Sequence, residues 1–408
     1  MIRPTATERL IAVVAFATTL LLLFGIAPAQ AGEDRNFAGS AQFDYMFARH
    51  DSIQDAQAPG PRTPLTGFTT EAALKIAVDI SDHLSANFKL CYGCHGFELD
   101  MAYFDFRVAD EFNLRTGRFS PTFGAFNLRH DPANHPFSDK PLPYDMGRML
   151  RKGDWNNGVL PAPFPMTGAE VNGTHWVGSD VQVDYAAYVA MGFKNESDLH
   201  PTDINFQESH LPYYVTADPR PVTGGRLGMT IRLSDVSDAT LGVSGMYGTY
   251  DFRNRLSYGI VGIDIAMRVG RATVRAEYLV RRQQADTSNP GIFKYAVASE
   301  HGDFFLKHGM YLELKLPAAE PLMVLGRVDA MIRQGNVSEA PVGAGGDFVV
   351  DSPLMNNVTV VRETIGLAYD IERNFRLKLS LETWQFSYAD ADNHKNDVSA
   401  HVGVVGSL

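Results

Sequence analysis

The chain lacks the features of several common protein classes. Only one long hydrophobic run is present, at the start, and the mean hydropathy is −0.13, so a bundle of membrane-spanning helices is excluded. Two cysteines in 408 residues are too few to staple a secreted domain with disulfides. The formal net charge of −11 argues against nucleic acid as a partner. No linker rich in proline, glycine and serine divides the chain into domains.

The hydrophobic run at the start is typical of an export signal. Arg3 and Arg9 flank a short polar region, residues 10–27 are apolar, and Ala29-Gln30-Ala31 matches a small-x-small cleavage site. We therefore expect residues 1–31 to be a cleaved signal peptide and residues 32–408 to form the mature protein. An uncleaved anchor helix is the alternative.

The mature chain repeats segments of about ten residues in which apolar and polar side chains alternate, each followed by a turn. Residues 261–268 and 375–382 are clear examples. Because side chains i and i+2 of a strand share a face, each strand has one apolar and one polar face. The pattern predicts an all-β fold, a transmembrane antiparallel β-barrel of about 16 strands. The predicted strands begin near Gly39, Thr70, Ala86, Phe97, Phe112, Thr167, Val181, Thr223, Ala239, Leu256, Arg271, Phe305, Pro321, Val358, Asn374 and Val398.

The connections between these segments alternate between short and long. Residues 81–86 and 269–271 are short connections, whereas 51–69, 121–166 and 193–222 are long. A soluble β-sandwich also has alternating strands, but it has no reason for this asymmetry. Barrels of the Gram-negative outer membrane have short periplasmic turns and long extracellular loops. We therefore expect the mature chain to lie in outer-membrane lipid.

Residues 97–124, FELDMAYFDFRVADEFNLRTGRFSPTFG, resemble the N-terminal third of bacterial outer-membrane porins related to the phosphate-selective group. The resemblance implies a passive diffusion channel for small solutes rather than an enzyme, and a homotrimer as the oligomer. Two features depart from the family. The chain ends at Leu408 instead of a terminal aromatic residue, and lysine is sparse among the predicted lumen positions. The phosphate preference is therefore not carried over.

Charged side chains are predicted on the lumen face of the strands. Rings of fixed charge set ion selectivity, so a mild anion preference is one interpretation. The alternative is that these groups pair with inward acids such as Asp105 and Asp264 and only solvate the wall. The predicted pore-lining arginines are Arg107, Arg115, Arg226, Arg232, Arg268, Arg275, Arg327 and Arg376.

The connection 121–166 is far longer than two strands need, and it contains eight prolines and several aromatic residues. Such a composition indicates an ordered, packed loop. We expect it to fold into the barrel and constrict the lumen. An extracellular cap is the alternative, and a barrel plugged completely by its loop is a third possible function.

Both cysteines lie in Cys91-Tyr92-Gly93-Cys94-His95, which matches the attachment motif of haem c. Cys91 and Cys94 would bond the porphyrin, and His95 would be the axial ligand of the iron. A disulfide or a thiol pair that binds another metal is the alternative. The motif is predicted at the tip of a hairpin, with Cys91 facing the lumen. Candidates for the second axial ligand are Met146, Met149, His130 and His135.

A haem would give the chain a different function. Cytochrome–porin fusions of iron-oxidising bacteria are similar in idea, although their motif precedes the barrel. By that resemblance the chain would be an outer-membrane redox protein that exchanges electrons with a periplasmic cytochrome. The diffusion channel remains the primary interpretation.

Overall fold

The computed structural model describes residues 34–49, 66–93, 96–145, 158–193, 220–251, 255–284, 295–297, 304–335, 337–339, 359–387 and 394–408. Within these ranges the chain is almost entirely β-structure, with three single-turn 3-10 helices at Asn127–Arg129, Pro132–Asn134 and Leu142–Tyr144. No helix of the described residues is long and apolar enough to cross a membrane.

Sixteen strands form a closed antiparallel barrel. They are β1 (Asp34–Arg49), β2 (Gly67–Ser81), β3 (Leu84–Gly93), β4 (Gly96–Ala109), β5 (Phe112–Phe119), β6 (Met166–Val177), β7 (Val181–Ala190), β8 (Val222–Ser234), β9 (Ser237–Thr249), β10 (Ser257–Val269), β11 (Ala272–Gln284), β13 (Phe304–Ala319), β14 (Leu322–Gly335), β16 (Thr359–Glu372), β17 (Phe375–Ser387) and β18 (His394–Ser407). The short strands β12 (Tyr295–Val297) and β15 (Val337–Glu339) pair with each other outside the barrel sheet.

The barrel closes where the first strand meets the last. β1 pairs with β18 from Ser40–Ser407 to Arg49–Val398. A closed sheet has no unpaired edge, so the backbone groups of every strand find partners without water. The start of β1 and the end of β18 therefore lie at the same end of the barrel as the short turns.

The predicted strand pattern is confirmed, because every predicted start lies within five residues of an observed one. Two details of the prediction were wrong. The alternation of short and long connections fails at β3–β4, which only two residues join, and at β9–β10, which residues 250–256 join. The two short strands β12 and β15, which lie in predicted long loops, were not foreseen.

The barrel wall is apolar outside and polar inside. Ile263 and Leu312 point outward and are 49% and 52% exposed, whereas the adjacent Asp264 and Glu313 point inward and are 2% and 1% exposed. Successive side chains of a strand point to opposite faces of the sheet, so this pattern continues along each strand. An apolar exterior of this kind is favourable in contact with lipid and unfavourable in contact with water.

Candidate pore constriction

The described parts of the connection between β5 and β6 lie inside the barrel, as the sequence predicted. These parts, residues 120–145 and 158–165, contact strands on opposite sides of the lumen, which a cap above the barrel could not do. Side chains that hydrogen-bond or pair with these residues come from β1, β2, β3, β6, β9, β11, β14, β16 and β17, namely Gln42, Lys75, Lys89, Glu170, Ser244, Glu277, Asp329, Arg362 and Lys378. We refer to residues 120–165 as the lumen loop.

The wall satisfies backbone groups of the lumen loop, which have no sheet partner. Glu277 accepts hydrogen bonds from Ala125 N at 3.1 Å and Phe126 N at 3.3 Å, and Asp329 accepts one from Leu142 N at 3.1 Å. Buried amides need such partners, because an unpaired one costs about 1–3 kcal/mol. The prolines reduce the number of amides to be satisfied and restrict the backbone. These features give the loop one position in the lumen.

Gly124 allows the loop to approach Glu277 closely. Its φ is +61°, a left-handed conformation that favours glycine. A Cβ at this position would lie 2.1 Å from Glu277 Oε1 and 2.3 Å from the Tyr144 hydroxyl oxygen. Tyr144 donates a hydrogen bond to Glu277 Oε1 at 2.5 Å. A larger side chain would therefore displace the loop from its anchor on β11.

One side of the lumen loop packs against an apolar wall, which we define as the inward side chains Tyr188, Val222, Met246, Tyr258 and Ile260 of β7–β10. The loop contributes Phe123, Phe126, Tyr144 and Phe164, all with no exposed surface. Ring contacts continue from Phe123 to Phe164 at 6.5 Å and from Phe164 to Phe193 at 6.1 Å between centroids. This part of the lumen is a hydrophobic core and not an aqueous passage.

The opposite side of the loop is held by an ionic wall, which we define as Arg327 and Asp329 of β14, Arg362 of β16, and Lys378 of β17. Asp139 of the loop pairs with both arginines, at 2.6 Å from Arg327 Nη2 and in closer contact with Arg362 Nη1. Lys378 donates to the backbone oxygens of Pro132 at 2.6 Å and Phe137 at 3.1 Å. These side chains are at most 2% exposed, and each charge has partners, as buried charges require.

A second charged cluster joins the loop to β3. Lys89 Nζ lies 2.8 Å from Asp100, 2.7 Å from Asp131 and 2.6 Å from His130 Nε2. Burial, together with the neighbouring Lys89 charge, lowers the pKa of His130 to about 4. Burial opposes ionisation of Asp131, but the charges of Lys89 and Lys75, joined by that of His130 once it is protonated in acid, outweigh it and hold its pKa below the ordinary value. At neutral pH the cluster therefore contains a neutral histidine and ionised Asp131.

The loop leaves β2 open to water. Lys75 pairs with Asp131 at 2.6 Å, and Glu71 pairs with Lys140 at 3.5 Å, yet the side chains of Lys75 and Glu71 are 46% and 40% exposed. The loop-contacting groups of β3, β14, β16 and β17 are nearly all buried by comparison. We call the space beside Lys75 and Glu71 the β2 gap. Among the described residues it is one place where water reaches the interface between the loop and the wall.

The predicted pore-lining arginines lie on the lumen face, and each one has an acidic partner. The pairs are Arg107–Asp79, Arg115–Glu170, Arg226–Asp264, Arg232–Asp235, Arg268–Asp238, Arg275–Glu313, Arg327–Asp139 and Arg376–Asp370. Arg107, Arg232 and Arg268 are more than half exposed near the short turns. This arrangement favours the interpretation in which the charges pair and solvate the wall.

Lysines on the lumen face were missed. The statement that lysine is sparse there was wrong, because Lys75, Lys89 and Lys378 all face the lumen and contact the loop. The signal was available: Lys378 stands between Leu377 and Leu379, so the alternation alone places it inside. Arg362 was missed as well, although the alternation along its strand also places it on the lumen face.

The cysteine hairpin lies at the end of the barrel where the long loops are. β3 and β4 pair up to Gly93–Gly96, so the motif 91–95 occupies the hairpin tip. Cys91 faces the lumen with a free thiol, which donates to Asp100 Oδ2 at 3.5 Å. Cys94, His95, Met146 and Met149 are outside the described residues.

The described surroundings of Cys91 do not fit a porphyrin. Lys89, Asp100 and Asp131 surround the thiol with charge, whereas a porphyrin needs apolar walls. His130 uses both ring nitrogens, since Nδ1 lies 2.5 Å from Asn127 O and Nε2 lies against Lys89. His135 is buried, with its ring centroid 5.7 Å from that of Phe126. The haem prediction therefore rests on the motif alone.

Searches for relatives give a match to structures but not to sequences. No protein family and no curated protein matches the chain. The anion-selective porin from Comamonas acidovorans is similar over 92% of this chain and 100% of its own, with 12% identity and a TM-score of 0.52. The outer membrane channel DcaP of Acinetobacter baumannii is similar over 94% and 99%, with 10% identity and a TM-score of 0.53.

A third similar structure is OmpT, an outer membrane protein of Vibrio cholerae, over 93% of this chain and 99% of that chain, with 8% identity and a TM-score of 0.51. At these identities the similarity establishes the fold. The chain has the closed antiparallel barrel fold of outer-membrane porins.

Proposed function

We propose that the chain is a porin-type channel of the Gram-negative outer membrane, through which small hydrophilic solutes diffuse passively past the lumen loop. The observation that carries the proposal is the position of that loop, which crosses a closed 16-stranded barrel and leaves the β2 gap open to water. Sixteen strands enclose a lumen wide enough for an aqueous path. The paired charges of the lumen wall keep that path hydrated.

The exterior supports a location in the outer membrane. On β10 the outward residues from Val261 to Val269 are apolar and exposed, with no charged residue among them. Nine residues tilted by about 40° span roughly 23 Å, close to the apolar band of about 25 Å in such barrels. By this proposal the short turns face the periplasm, and the protein assembles as a homotrimer, the form named for one OmpT structure of similar fold.

Liposome swelling tests the channel. Vesicles containing the purified, folded protein should swell in isotonic solutions of small sugars, and the rate should fall steeply with sugar size because the lumen loop occupies part of the lumen. Vesicles made with heat-denatured protein are the control. No swelling with any sugar, although the protein is folded and inserted, would contradict the channel.

A plugged barrel is the second candidate, and the buried apolar wall favours it. Phe123, Phe126, Phe164 and Ile260 have no exposed surface, so this side of the lumen admits no water. The two functions differ in one result. A plug predicts no swelling for the natural chain and strong swelling after the loop is shortened, whereas a channel swells in both cases.

The redox function stays a prediction of the sequence. Haem c bonded through Cys91 and Cys94 would keep peroxidase staining after denaturation, because thioether bonds survive boiling in detergent. Expression in a host that matures c-type cytochromes, with the Cys91→Ala/Cys94→Ala variant as the control, tests it. Colourless protein with a reducible Cys91–Cys94 bridge would favour the disulfide instead.

A further inference from the structure

His401 lies between two carboxylates where the barrel closes. It is on β18, the last strand, and its Nδ1 lies 3.0 Å from Asp44 Oδ2 of β1, the first strand. On its other side, Nε2 lies 3.2 Å from Glu382 Oε2 of β17. These three side chains are at most 1% exposed, so both contacts are shielded from water. A single ring therefore joins the first strand of the barrel to the last two.

The two contacts of His401 require a proton on each ring nitrogen. An ionised carboxylate only accepts hydrogen bonds, and a neutral imidazole has one N–H to donate. Both nitrogens of His401 face carboxylate oxygens, so a neutral ring would hold one bare nitrogen against a buried acceptor. Two acceptors in contact inside a protein are costly. An imidazolium donates to Asp44 and Glu382 at once.

The surroundings of Glu382 place the proton on the ring and not on this carboxyl group. Its Oε2 accepts hydrogen bonds from Ser399 Oγ at 2.7 Å and from Trp384 Nε1 at 3.2 Å. Its Oε1 lies 3.6 Å from Arg362 Nη1. Hydrogen-bond donors and a positive charge around both oxygens stabilise a carboxylate over the neutral acid.

The buried charges around His401 balance only if the ring is positive. Ion pairs link four carboxylates and two arginines to it, namely Asp44, Asp139, Asp329, Glu382, Arg327 and Arg362. Lys378 adds a third cation within electrostatic range of Asp44 and Asp139. Three cations therefore face four anions, and an imidazolium supplies the fourth positive charge.

The nearby ionisable groups of the lumen loop do not change this balance. The loop packs against β1 and β18 through its second 3-10 helix, which Asp131 and His135 flank. Asp131 pairs with Lys89 and with Lys75. Burial, together with the charge of Lys378, holds the pKa of His135 well below its usual range, so this ring is neutral at neutral pH.

Arg362 connects the charge of His401 to the lumen loop. The guanidinium contacts Glu382, the partner of His401, and it also pairs with Asp139 of the loop. Loss of the positive charge on His401 leaves Glu382 with Arg362 as its one charged partner among the described residues. The attraction between Glu382 and Arg362 then competes with the ion pair that holds Asp139.

We propose that His401 is an imidazolium at neutral pH and acts as a pH sensor that releases the lumen loop in alkali. This rests on the proposed channel function, since the loop constricts that channel, but the charge of the ring can be measured without conduction. Below about pH 6.5, the ordinary midpoint of histidine, the stabilisation by the imidazolium is complete. It is lost as the pH rises above neutrality, because the ring then gives up its proton.

Nitrogen NMR of the histidine rings in the folded full-length protein in detergent measures the charge directly. Both nitrogens of an imidazolium carry protons and have similar shifts, whereas the bare nitrogen of a neutral ring lies far downfield. The signal of His401 is the one absent from the His401→Gln spectrum; if that variant does not fold, it is the signal that Asp44→Asn shifts. We expect an imidazolium at pH 7 and a neutral ring in alkali.

Proteolysis of the lumen loop measures the consequence. Between pH 7 and about pH 9, cleavage relative to an unfolded reference peptide should rise at least tenfold in the natural chain. Glu382→Gln removes one anion without changing the shape of the side chain, so three cations face three anions and the rise should stay below twofold. His83→Gln is the matched control, because it removes an exposed histidine in the turn between β2 and β3 and should keep the natural response.

Three results would overturn the proposal. They are a neutral His401 ring at pH 7, equal alkaline responses of the natural chain and Glu382→Gln, and a response that His83→Gln abolishes. Heat-modifiable migration on gels shows that each variant is folded. Bilayer recordings separate this outcome from that of the channel: a conducting protein with a neutral His401 at pH 7 refutes the sensor alone, and a non-conducting protein whose His401 titrates and releases the loop refutes the channel alone.

Discussion

Different kinds of interaction hold the two sides of the lumen loop, apolar packing on one side and ion pairs on the other. The side facing β7–β10 is a hydrophobic core in which Phe123, Phe164 and Tyr258 are almost completely buried. The side facing β14–β17 consists of buried charges, with Asp139 of the loop between Arg327 and Arg362. The apolar packing of the first side is non-directional and tolerates small shifts of the side chains. The second requires every partner to be present, because an unpaired buried charge is costly.

The charged side, more than the apolar side, fixes the position of the loop. Apolar packing supplies stability that depends little on pH or salt, but many similar arrangements would satisfy it. The hydrogen bonds of Asp139, Lys378 and Glu277 are directional, so they select one arrangement. The apolar wall therefore stabilises the loop in the lumen, and the ionic wall and Glu277 determine its exact position.

Removal of Arg362 should have the largest effect. Arg362→Ala leaves Asp139, Asp329 and Glu382 buried with too few cations, which should cost about 3–5 kcal/mol. We expect lower stability in denaturant unfolding and faster proteolysis of the loop, while the barrel still forms. A loss of less than about 1 kcal/mol would show that the ionic wall does not hold the loop.

Removal of a ring from the apolar side should have a slightly smaller effect. Phe126→Ala leaves a cavity beside Tyr144 and Tyr311 and should cost about 3 kcal/mol. The cost should be the same at low and high salt, unlike that of a charge substitution. Parallel unfolding curves at two salt concentrations check this, and a salt-dependent loss would contradict the division into two walls.

Mild acid should weaken the loop at its β3 contact. The pKa of His130 is about 4 in the docked loop, below its ordinary value of 6.5, so the neutral form is favoured when the loop is docked. Its stabilisation is fully present above pH 6.5 and is lost as the pH falls toward 4, by about 2 kcal/mol between pH 7 and pH 5. Asp131 also stabilises the docked loop at neutral pH, and this contribution is lost only below the ordinary carboxyl pKa, because its folded pKa lies lower still.

Protease sensitivity of the loop between pH 7 and pH 5 measures this effect. His130→Gln cannot titrate, so its sensitivity should stay constant across that range. Identical pH profiles for the natural chain and the variant would show that another group is responsible.

The smallest effect should come from an exposed pair outside both walls. Arg268 and Asp238 are 54% and 29% exposed near the short turns. Arg268→Ala should cost less than about 1 kcal/mol, and less still at high salt. A loss of stability comparable to that of Arg362→Ala would mean that the exposed fraction of a charged side chain does not predict its contribution to stability.

The sequence predicted the local structure well and the long-range contacts poorly. Alternation along residues 261–268 places Asp264 inside and Ile263 outside, which is a property of each strand by itself. The inward course of the loop was expected from its prolines and aromatic residues. Its partners were not, because they are remote in sequence: Lys378 bonds Gln42 across 336 positions and Glu277 bonds Phe126 across 151. Such pairing depends on the closure of the barrel and leaves no local pattern.

The cysteine motif shows a different limit. Its spacing matches haem attachment, but spacing does not describe the surroundings of the first thiol. Lys89 is two residues before Cys91 and on the same face, and Asp100 reaches it from β4 across the hairpin. Lys89 follows from the alternation along β3, but the position of Asp100 depends on the register of β3 and β4, which the sequence does not show.

Single-channel conductance of the natural chain and of a variant with a shortened lumen loop tests the central claim most directly. Replacement of residues 127–160 by a short glycine–serine linker removes the contacts to the ionic wall and much of the apolar side, while β5 and β6 remain. If the loop constricts the lumen, the folded variant should conduct several times more current per channel in the same salt. An unchanged step size, with heat-modifiable migration as proof of folding, would contradict the account.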